Sequence, residues 1–346
     1  MLNRKYMLTM GLLLSCLSCF AQKQKLDYSI APWFNNKKAA VTLTLDDGPP
    51  GQFTVALPLL MQHHINATYF VTVNTIYKQL KTWDLVNKAA LAGNEIANHC
   101  VTHPHFLKIP IDSVAIENAE SNRLIDSLVP SQKVITQAYP FGDGGGITVK
   151  DSAIRRVAAK YFIGARATQN KPYPFNRYVF AKTDDDYYNV NSAMIADSAS
   201  MADFGKHIDQ TLAAGGWFCP TYHGIADGWI ITPEAVFKRH LEDIENRRPQ
   251  LWIATFKDVV KYHRERNSAS LKLISQNALG WNLVLNDTLN NKVYDHPLTV
   301  NLRIPKGKVV RAVSRKGKTI SHQTNADGIT FNTVPSTTPI TVLFKR

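Results

Sequence analysis

Cysteine, acidic residues and long apolar runs are all scarce in this 346-residue chain, and each scarcity excludes something. Of the four cysteines, Cys16 and Cys19 fall near the N-terminus, which excludes a disulfide-stapled scaffold or a cysteine-rich zinc module. Cys100 and Cys219 remain, and both a pairing in an oxidising compartment and two separate buried thiols are compatible with the sequence. Beyond the N-terminus no apolar stretch reaches the roughly 20 residues of a membrane-spanning helix. There is no internal repeat and no low-complexity tract, so a solenoid or a disordered chain is not expected. Asp and Glu number 27 against 40 Lys and Arg, a formal charge of +13. From Ser270 onward eleven Lys and Arg face only Asp287, Asp295 and Asp327, so most of the excess sits in the last fifth of the chain. That excess suits contact with an anionic polymer or surface, and a solvated basic face without a partner is the alternative. No nucleic-acid recognition motif accompanies it.

The chain begins with Arg4 and Lys5, an apolar run from Met7 to Leu17, and then Ser18-Cys19-Phe20-Ala21. Basic start, apolar centre and small residue before the cut read as a secretory signal over 1–21, removed after Ala21. Lipid attachment through Cys16 or Cys19 is the alternative. Both place the mature protein outside the cytoplasm, secreted, periplasmic or in the cell envelope. Residues 22–38 form a lead-in.

Over 39–266 short apolar strands alternate with helical patterns. Val41 to Leu45, Ala67 to Val73, Glu95 to Asn98, Val134 to Ala138, Tyr161 to Ala165, Trp217 to Tyr222 and Trp252 to Thr255 read as strands, each followed by a segment of helical periodicity. This predicts a parallel sheet covered by helices, with enough units for a barrel. Over 267–346 the pattern changes to short strands between Asn, Asp, Gly and Pro, which predicts a small all-β sandwich.

Four clusters carry candidate chemistry. Val41-Thr42-Leu43-Thr44-Leu45 ends in Asp46-Asp47-Gly48-Pro49, two carboxylates at the C-terminal end of a strand, where α/β folds build their sites. Turn chemistry exposed to solvent is the bland reading. Asn98-His99-Cys100-Val101-Thr102-His103-Pro104 places two histidines four apart at a strand-to-loop junction, able to share an ion, most often zinc. Such pairs are usually structural, but an acid from another strand completes a His-His-Asp set. Tyr139-Pro140-Phe141-Gly142 is a fixed turn that can aim a backbone N–H at developing negative charge. Thr221-Tyr222-His223-Gly224 ends another strand with a histidine suited to general acid work.

Together the clusters resemble the polysaccharide deacetylases of carbohydrate esterase family 4, the NodB-homology domain, over about Ala39 to Arg266. The resemblance is most specific at Thr-Leu-Asp-Asp-Gly-Pro and Asn-His-x3-His-Pro. It implies an irregular (β/α)7-type barrel with the all-β sandwich appended. It also implies Asp46 as general base, Asp47, His99 and His103 as metal ligands, Phe141 as the source of an oxyanion-binding N–H and His223 as general acid. The implied substrate is an acetylated glycan, and the implied cofactor a divalent ion, most simply Zn²⁺.

Two departures stand out. The family has Arg two residues before the proline of the third cluster, where it pairs with the catalytic acid; this chain has Ala138. Arg166, just past the next expected strand, is the candidate substitute. The family's Asp-x-x-Asp-Trp is not clearly present, and Thr183-Asp184-Asp185-Asp186-Tyr187-Tyr188 falls in its place. Asp185 and Tyr187, with Tyr139, Tyr222 and Trp229, are candidates for the substrate groove. The sequence therefore predicts metal-dependent removal of N- or O-linked acetyl groups. Hydrolysis of a small non-sugar amide and an inactive glycan-binding protein are the alternatives.

Overall fold

In the computed structural model, which describes residues 26–76, 83–168, 175–176 and 183–345, the βα alternation becomes a curved wall of parallel strands. The signal expected over 1–21, with Cys16 and Cys19, lies outside the described residues. The strands are β1 (Tyr28–Ile30), β2 (Ala39–Val41), β3 (Thr44–Asp47), β4 (Thr68–Val71), β5 (Glu95–Asn98), β6 (Thr136–Ala138), β7 (Gly164–Arg166), β8 (Phe175–Asn176), β9 (Ala193–Met194), β10 (Trp217–Phe218), β11 (Pro220–Tyr222) and β12 (Leu251–Ile253). Seven of them pair in the order β7-β6-β5-β4-β3-β11-β9, parallel throughout. A smaller sheet, β12-β2-β10-β8, is parallel except at β8.

The strand expected over Val41 to Leu45 is two strands, and so is that over Trp217 to Tyr222. Pro220 cannot donate to a ladder, which breaks the second of these at Cys219. The first is interrupted at Thr42 and Leu43, where Thr42 N–H still reaches Phe218 O and Leu43 O accepts from Thr68. Each chain thus passes from the small sheet to the large one. Both faces of β2 and β3 are buried, as expected for parallel strands under helices. The threonines of this segment are satisfied internally: Trp217 Nε1 donates to Thr42 Oγ1 at 3.0 Å, and Thr44 Oγ1 donates to Pro220 O at 3.0 Å.

Helices cover the wall, among them Ile111–Leu128, Val149–Ala158, Phe204–Ala214, Glu234–Arg247 and Phe256–Ser268. Val149–Ala158 starts in a capping box, Thr148 accepting from Asp151 N–H while the Asp151 side chain accepts from Thr148 N–H. No helix among the described residues is long and apolar enough to cross a membrane.

The remaining strands are β13 (Ser270–Asn277), β14 (Gly280–Asn286), β15 (Leu298–Arg303), β16 (Val310–Arg315), β17 (Lys318–Ile320), β18 (His322–Thr324), β19 (Gly328–Thr333) and β20 (Ile340–Phe344). They form two antiparallel sheets, β13-β14-β20-β16-β17 and β1-β15-β19-β18. Trp281, Leu283 and Leu285 alternate inward from β14 to meet Val300, Phe331 and Val342 in the core. β13 escaped the sequence reading because Lys272, Ser275, Gln276 and Asn277 leave it largely polar and exposed. The lead-in contributes β1, whose Ile30 pairs with Val300 of β15.

The sandwich packs on the last barrel helix through aromatic contacts. The His296 ring lies 5.3 Å from both Phe34 and Trp252 and 5.6 Å from Tyr262, and Tyr262 Oη donates to Ala31 O at 2.9 Å.

Candidate active site

The register of the parallel sheet brings the motif residues to one edge. Asp47 ends β3 opposite Val71, Val71 pairs with Asn98, and His99 follows. Asn98 pairs with Gln137, Ala138 with Arg166, and on the other side Leu45 with Tyr222, which His223 follows. The C-terminal ends of β3, β5, β6, β7 and β11 therefore surround one pocket of about 360 Å³. Asp46, Asp47, His99, His103, Tyr139, Phe141, His223 and Trp229 all line it.

The backbone leaves these strands sharply. Asp47, Cys100, His103 and Phe141 have φ of 73°, 71°, 59° and 55°, a left-handed conformation that non-glycine residues rarely adopt. Such strain concentrates where side chains must be aimed. At Asp47 the reversal carries the chain into Gly48 and frees its side chain from strand alternation, so both carboxylates of the pair reach the pocket.

Asp47, His99 and His103 form a compact donor set. Asp47 Oδ1 is 3.4 Å from Nε2 of each histidine, and the two Nε2 atoms are 3.1 Å apart. Ligands on a tetrahedral ion with bonds of about 2.0–2.1 Å stand roughly 3.3 Å apart, so this triangle fits one face of such a site. His99 Nδ1 lies 2.8 Å from Ala138 O; because a carbonyl only accepts, Nδ1 donates that bond and Nε2 is the ring nitrogen turned to Asp47. Among the described residues this is the group of His, Cys, Asp and Glu side chains placed to hold a metal ion.

Electrostatics couple the set. Burial pushes the Asp47 carboxyl up, but the hydrogen bond from His99 and the charges of His99, His223 and His103 outweigh it and hold the group well below the usual carboxylate range. Burial, joined by the charge of His99, pushes His103 down to about 4. His223 is also lowered, chiefly by burial.

Asp46 lies beside the donor set, its Oδ2 3.9 Å from His99 Nε2. Arg166 Nη2 donates to that same oxygen in a buried ion pair, which puts a guanidinium on Asp46 although position 138 is alanine. Asp46 Oδ1 is buried without a hydrogen-bond partner. His223 approaches from the other side, Nε2 3.9 Å from Asp47 Oδ2, and its Nδ1 is likewise buried without a partner. The Phe141 ring is held between His103 and His105, stacked on His105 at 3.6 Å, with His105 Nδ1 3.4 Å from Asp143 Oδ2.

Not all expected groove residues come to the pocket. Tyr222 neighbours His223 on one strand and faces the opposite side, its Oη 2.9 Å from His240 Nδ1 under Glu234–Arg247. Asp185 accepts from Arg155 Nε at 2.8 Å on the covering layer, and Tyr187 Oη meets His263 Nδ1 at 2.9 Å beneath the Arg264 guanidinium. Tyr139 does line the pocket, but its Oη is committed to Tyr188 O at 2.9 Å. Trp229 reaches the pocket with its Nε1 2.7 Å from Asp47 Oδ2.

One residue escaped sequence reasoning altogether. Gln52 Nε2 donates to Asp46 O at 2.6 Å and to His223 O at 2.8 Å, tying the two strand ends together. Its place four residues after Gly48 carries no periodic or motif signal. Cys100 and Cys219, left open as a pair, are separate buried thiols.

Residues 35–161 match the family model described as polysaccharide deacetylase. This part of the chain belongs to the polysaccharide deacetylase family. The match spans the carboxylate pair, both histidines and the Phe141 turn of the deacetylase-family region, while Arg166 and His223 lie beyond it. A gellan lyase of a Bacillus species is 24% identical over 298 residues, which is 80% of this chain but 11% of that protein. A chitooligosaccharide deacetylase of Sinorhizobium fredii is 30% identical over 141 residues, 40% of this chain and 64% of that protein. A peptidoglycan-N-acetylglucosamine deacetylase of Bacillus cereus is 31% identical over 110 residues, 32% of this chain and 38% of that protein. The chain thus spans less than two thirds of each of these relatives. Among solved structures, a family 4 carbohydrate esterase from Streptomyces lividans in complex with acetate covers 62% of this chain and 91% of its own, at 20% identity and a TM-score of 0.43.

Proposed function

We propose that the protein hydrolyses acetyl groups from a glycan with the help of a divalent cation, zinc in the first instance, held by Asp47, His99 and His103. The observation that carries this reading is one buried donor triangle with Asp46 on one side and His223 on the other, both within 3.9 Å of its atoms. Bound there, the cation polarises the acetyl carbonyl and acidifies the attacking water.

The chain's own residues supply the proton transfers. Asp46, its carboxylate fixed by Arg166 beside the donor set, takes the proton of the attacking water. His223, presenting Nε2 to the pocket, protonates the departing sugar nitrogen or oxygen. Phe141 places its backbone where an N–H can hold the oxyanion, on a turn locked by the Gly142 N–H to Tyr139 O bond at 3.0 Å. Acetate and a deacetylated sugar leave.

The names of the chitooligosaccharide and peptidoglycan-N-acetylglucosamine deacetylases support an N-acetylated sugar as the first substrate to test. The Arg166 contact removes the main reason to favour an inactive binding protein, which was the alanine at 138. The Lys and Arg excess of the sandwich supports contact with an anionic polymer, and the export signal read over 1–21 supports action in the envelope or outside the cell.

The test is acetate release from N-acetylated chitooligosaccharides, peptidoglycan and O-acetylated xylan, with chelator and after metal is restored. Release that chelator stops, metal restores, and both Asp46→Asn and His223→Ala abolish is the expected result. Metal binding without release from any of the three overturns the reading.

A further inference from the structure

The two oxygens of the Asp47 carboxylate are committed differently. Oδ1 points into the triangle, 3.4 Å from Nε2 of both His99 and His103. Oδ2 accepts a 2.7 Å hydrogen bond from the Trp229 indole N–H. An indole N–H is a donor only, so the partner it finds must offer a lone pair, and the carboxylate is the acceptor it reaches.

The loop that carries Trp229 is itself fastened to the strand end it serves. Trp229 O accepts from Gly224 N–H at 2.8 Å, and Gly224 O accepts from Thr232 N–H at 2.9 Å, closing the loop on itself. Asp227 Oδ1 accepts from Gly51 N–H at 2.7 Å, which binds the loop to the turn that follows Asp47. Gly228, at φ 91°, lies against Pro49, and a side chain there would strike the proline ring. The Asp227 and Gly228 contacts therefore hold the indole on the same turn as its acceptor.

From this we infer that Trp229 is a positioning residue that makes Asp47 a one-oxygen ligand. With Oδ2 engaged by the indole, Oδ1 is the oxygen turned to both imidazoles, and the coordination position that a chelating carboxylate would fill stays open for water or the acetyl oxygen. The inference rests on the metal-site reading above. It assigns Trp229 to the metal's surroundings, where the sequence suggested the substrate groove. Outer-sphere hydrogen bonds of this kind typically change metal affinity by about 10–100-fold when removed.

The experiment compares the unaltered full chain with Trp229→Phe, which keeps an aromatic ring and removes the N–H. Apo-proteins are titrated with Co²⁺ against a competing chelator, and the visible absorption of the cobalt forms is recorded. Circular dichroism and the melting temperature of the apo-proteins verify folding. The expected result is a Co²⁺ affinity lowered by about 10–100-fold, with weaker visible bands as the freed carboxylate oxygen raises the coordination number. Equal affinity and identical spectra in the two proteins would overturn the inference, as would failure of the unaltered protein to bind Co²⁺. A weakened, altered cobalt site in a protein that releases acetate from no glycan would support Trp229 in this role while rejecting the deacetylase reading, because neither measurement uses substrate.

Discussion

Arg166, at the end of β7, donates to the carboxylate of Asp46, at the end of β3, and both side chains are buried. Three strands separate them in the sheet, so the contact crosses the pocket floor instead of following a ladder. The guanidinium also lies over the Phe70 ring, 5.2 Å from its centroid, which fixes it from a second side.

Arg166→Ala would leave a buried carboxylate without its counter-charge, a loss of about 3–5 kcal/mol of stability. It would also release the proton acceptor from its aim. Acetate release should fall at least about 100-fold, while metal content, measured by elemental analysis, should match that of the unaltered protein, since Asp47, His99 and His103 are untouched. Arg166→Lys keeps the charge without the planar fork and should recover part of both losses. A near-normal rate in Arg166→Ala would reject the pairing as functional.

His223 lends itself to a test by leaving group. A sugar amine or alcohol must be protonated as it departs, whereas 4-nitrophenolate leaves unaided. His223→Ala should therefore lower turnover of an N-acetylated chitooligosaccharide by about 10²–10⁴-fold and affect 4-nitrophenyl acetate far less. Equal losses on both would mean that His223 acts on attack and not on departure.

Much of this site was legible because its parts are local. An acid pair closing a β-branched strand, His-x3-His after another strand and a Pro-x-Gly turn each declare themselves within a few residues. A parallel sheet then brings strand ends to one edge by topology alone. Arg166 was legible for the same reason, standing at the end of a strand. What the sequence does not encode locally is side-chain direction once the ladder stops. Tyr222 was expected beside His223 in the groove, but alternation turns it toward His240. Asp185 and Tyr187 belong to the contacts of Val149–Ala158 and Phe256–Ser268, which depend on how helices pack and not on the acidic run itself. Gln52 and the Trp229 N–H act through contacts across 171 and 182 residues of sequence, and no spacing rule reaches that far. Among the strands, those with apolar alternation were legible, and the polar β13 was not.

Gly142 holds the Phe141 turn at φ 76°, and a side chain there would run into Thr168. Gly142→Ala should cost about 1–2 kcal/mol from the left-handed backbone alone and displace the Phe141 N–H. Because that group is assigned to the transition state and not to the resting substrate, kcat should fall with KM little changed. A rise in KM at constant kcat would show that the turn serves substrate binding instead.

Glu265 supplies a pH test far from the metal. It is fully buried on Phe256–Ser268 where the sandwich docks, with Oε2 accepting from His296 N–H at 3.1 Å and Oε1 without a partner. Burial, with the nearby charges of Asp287 and Asp295, pushes its carboxyl up to about 8, against a relief from the His296 N–H and Lys261 that does not compensate. The folded protein therefore keeps a proton that the unfolded chain loses near its ordinary value of 4.5. This contribution to stability is complete below pH 4.5, declines as pH rises and is exhausted once pH passes about 8. The slope approaches about 1.4 kcal/mol per pH unit between those limits. Glu265→Gln mimics the protonated form, so its advantage over the unaltered protein should grow between pH 5 and 8 in denaturant unfolding monitored at each pH. The groups facing Glu265 titrate in both proteins, so the difference between the two curves isolates this carboxyl. A constant difference across that range would mean that Glu265 is ionised in the fold and that the docking surface accommodates its charge.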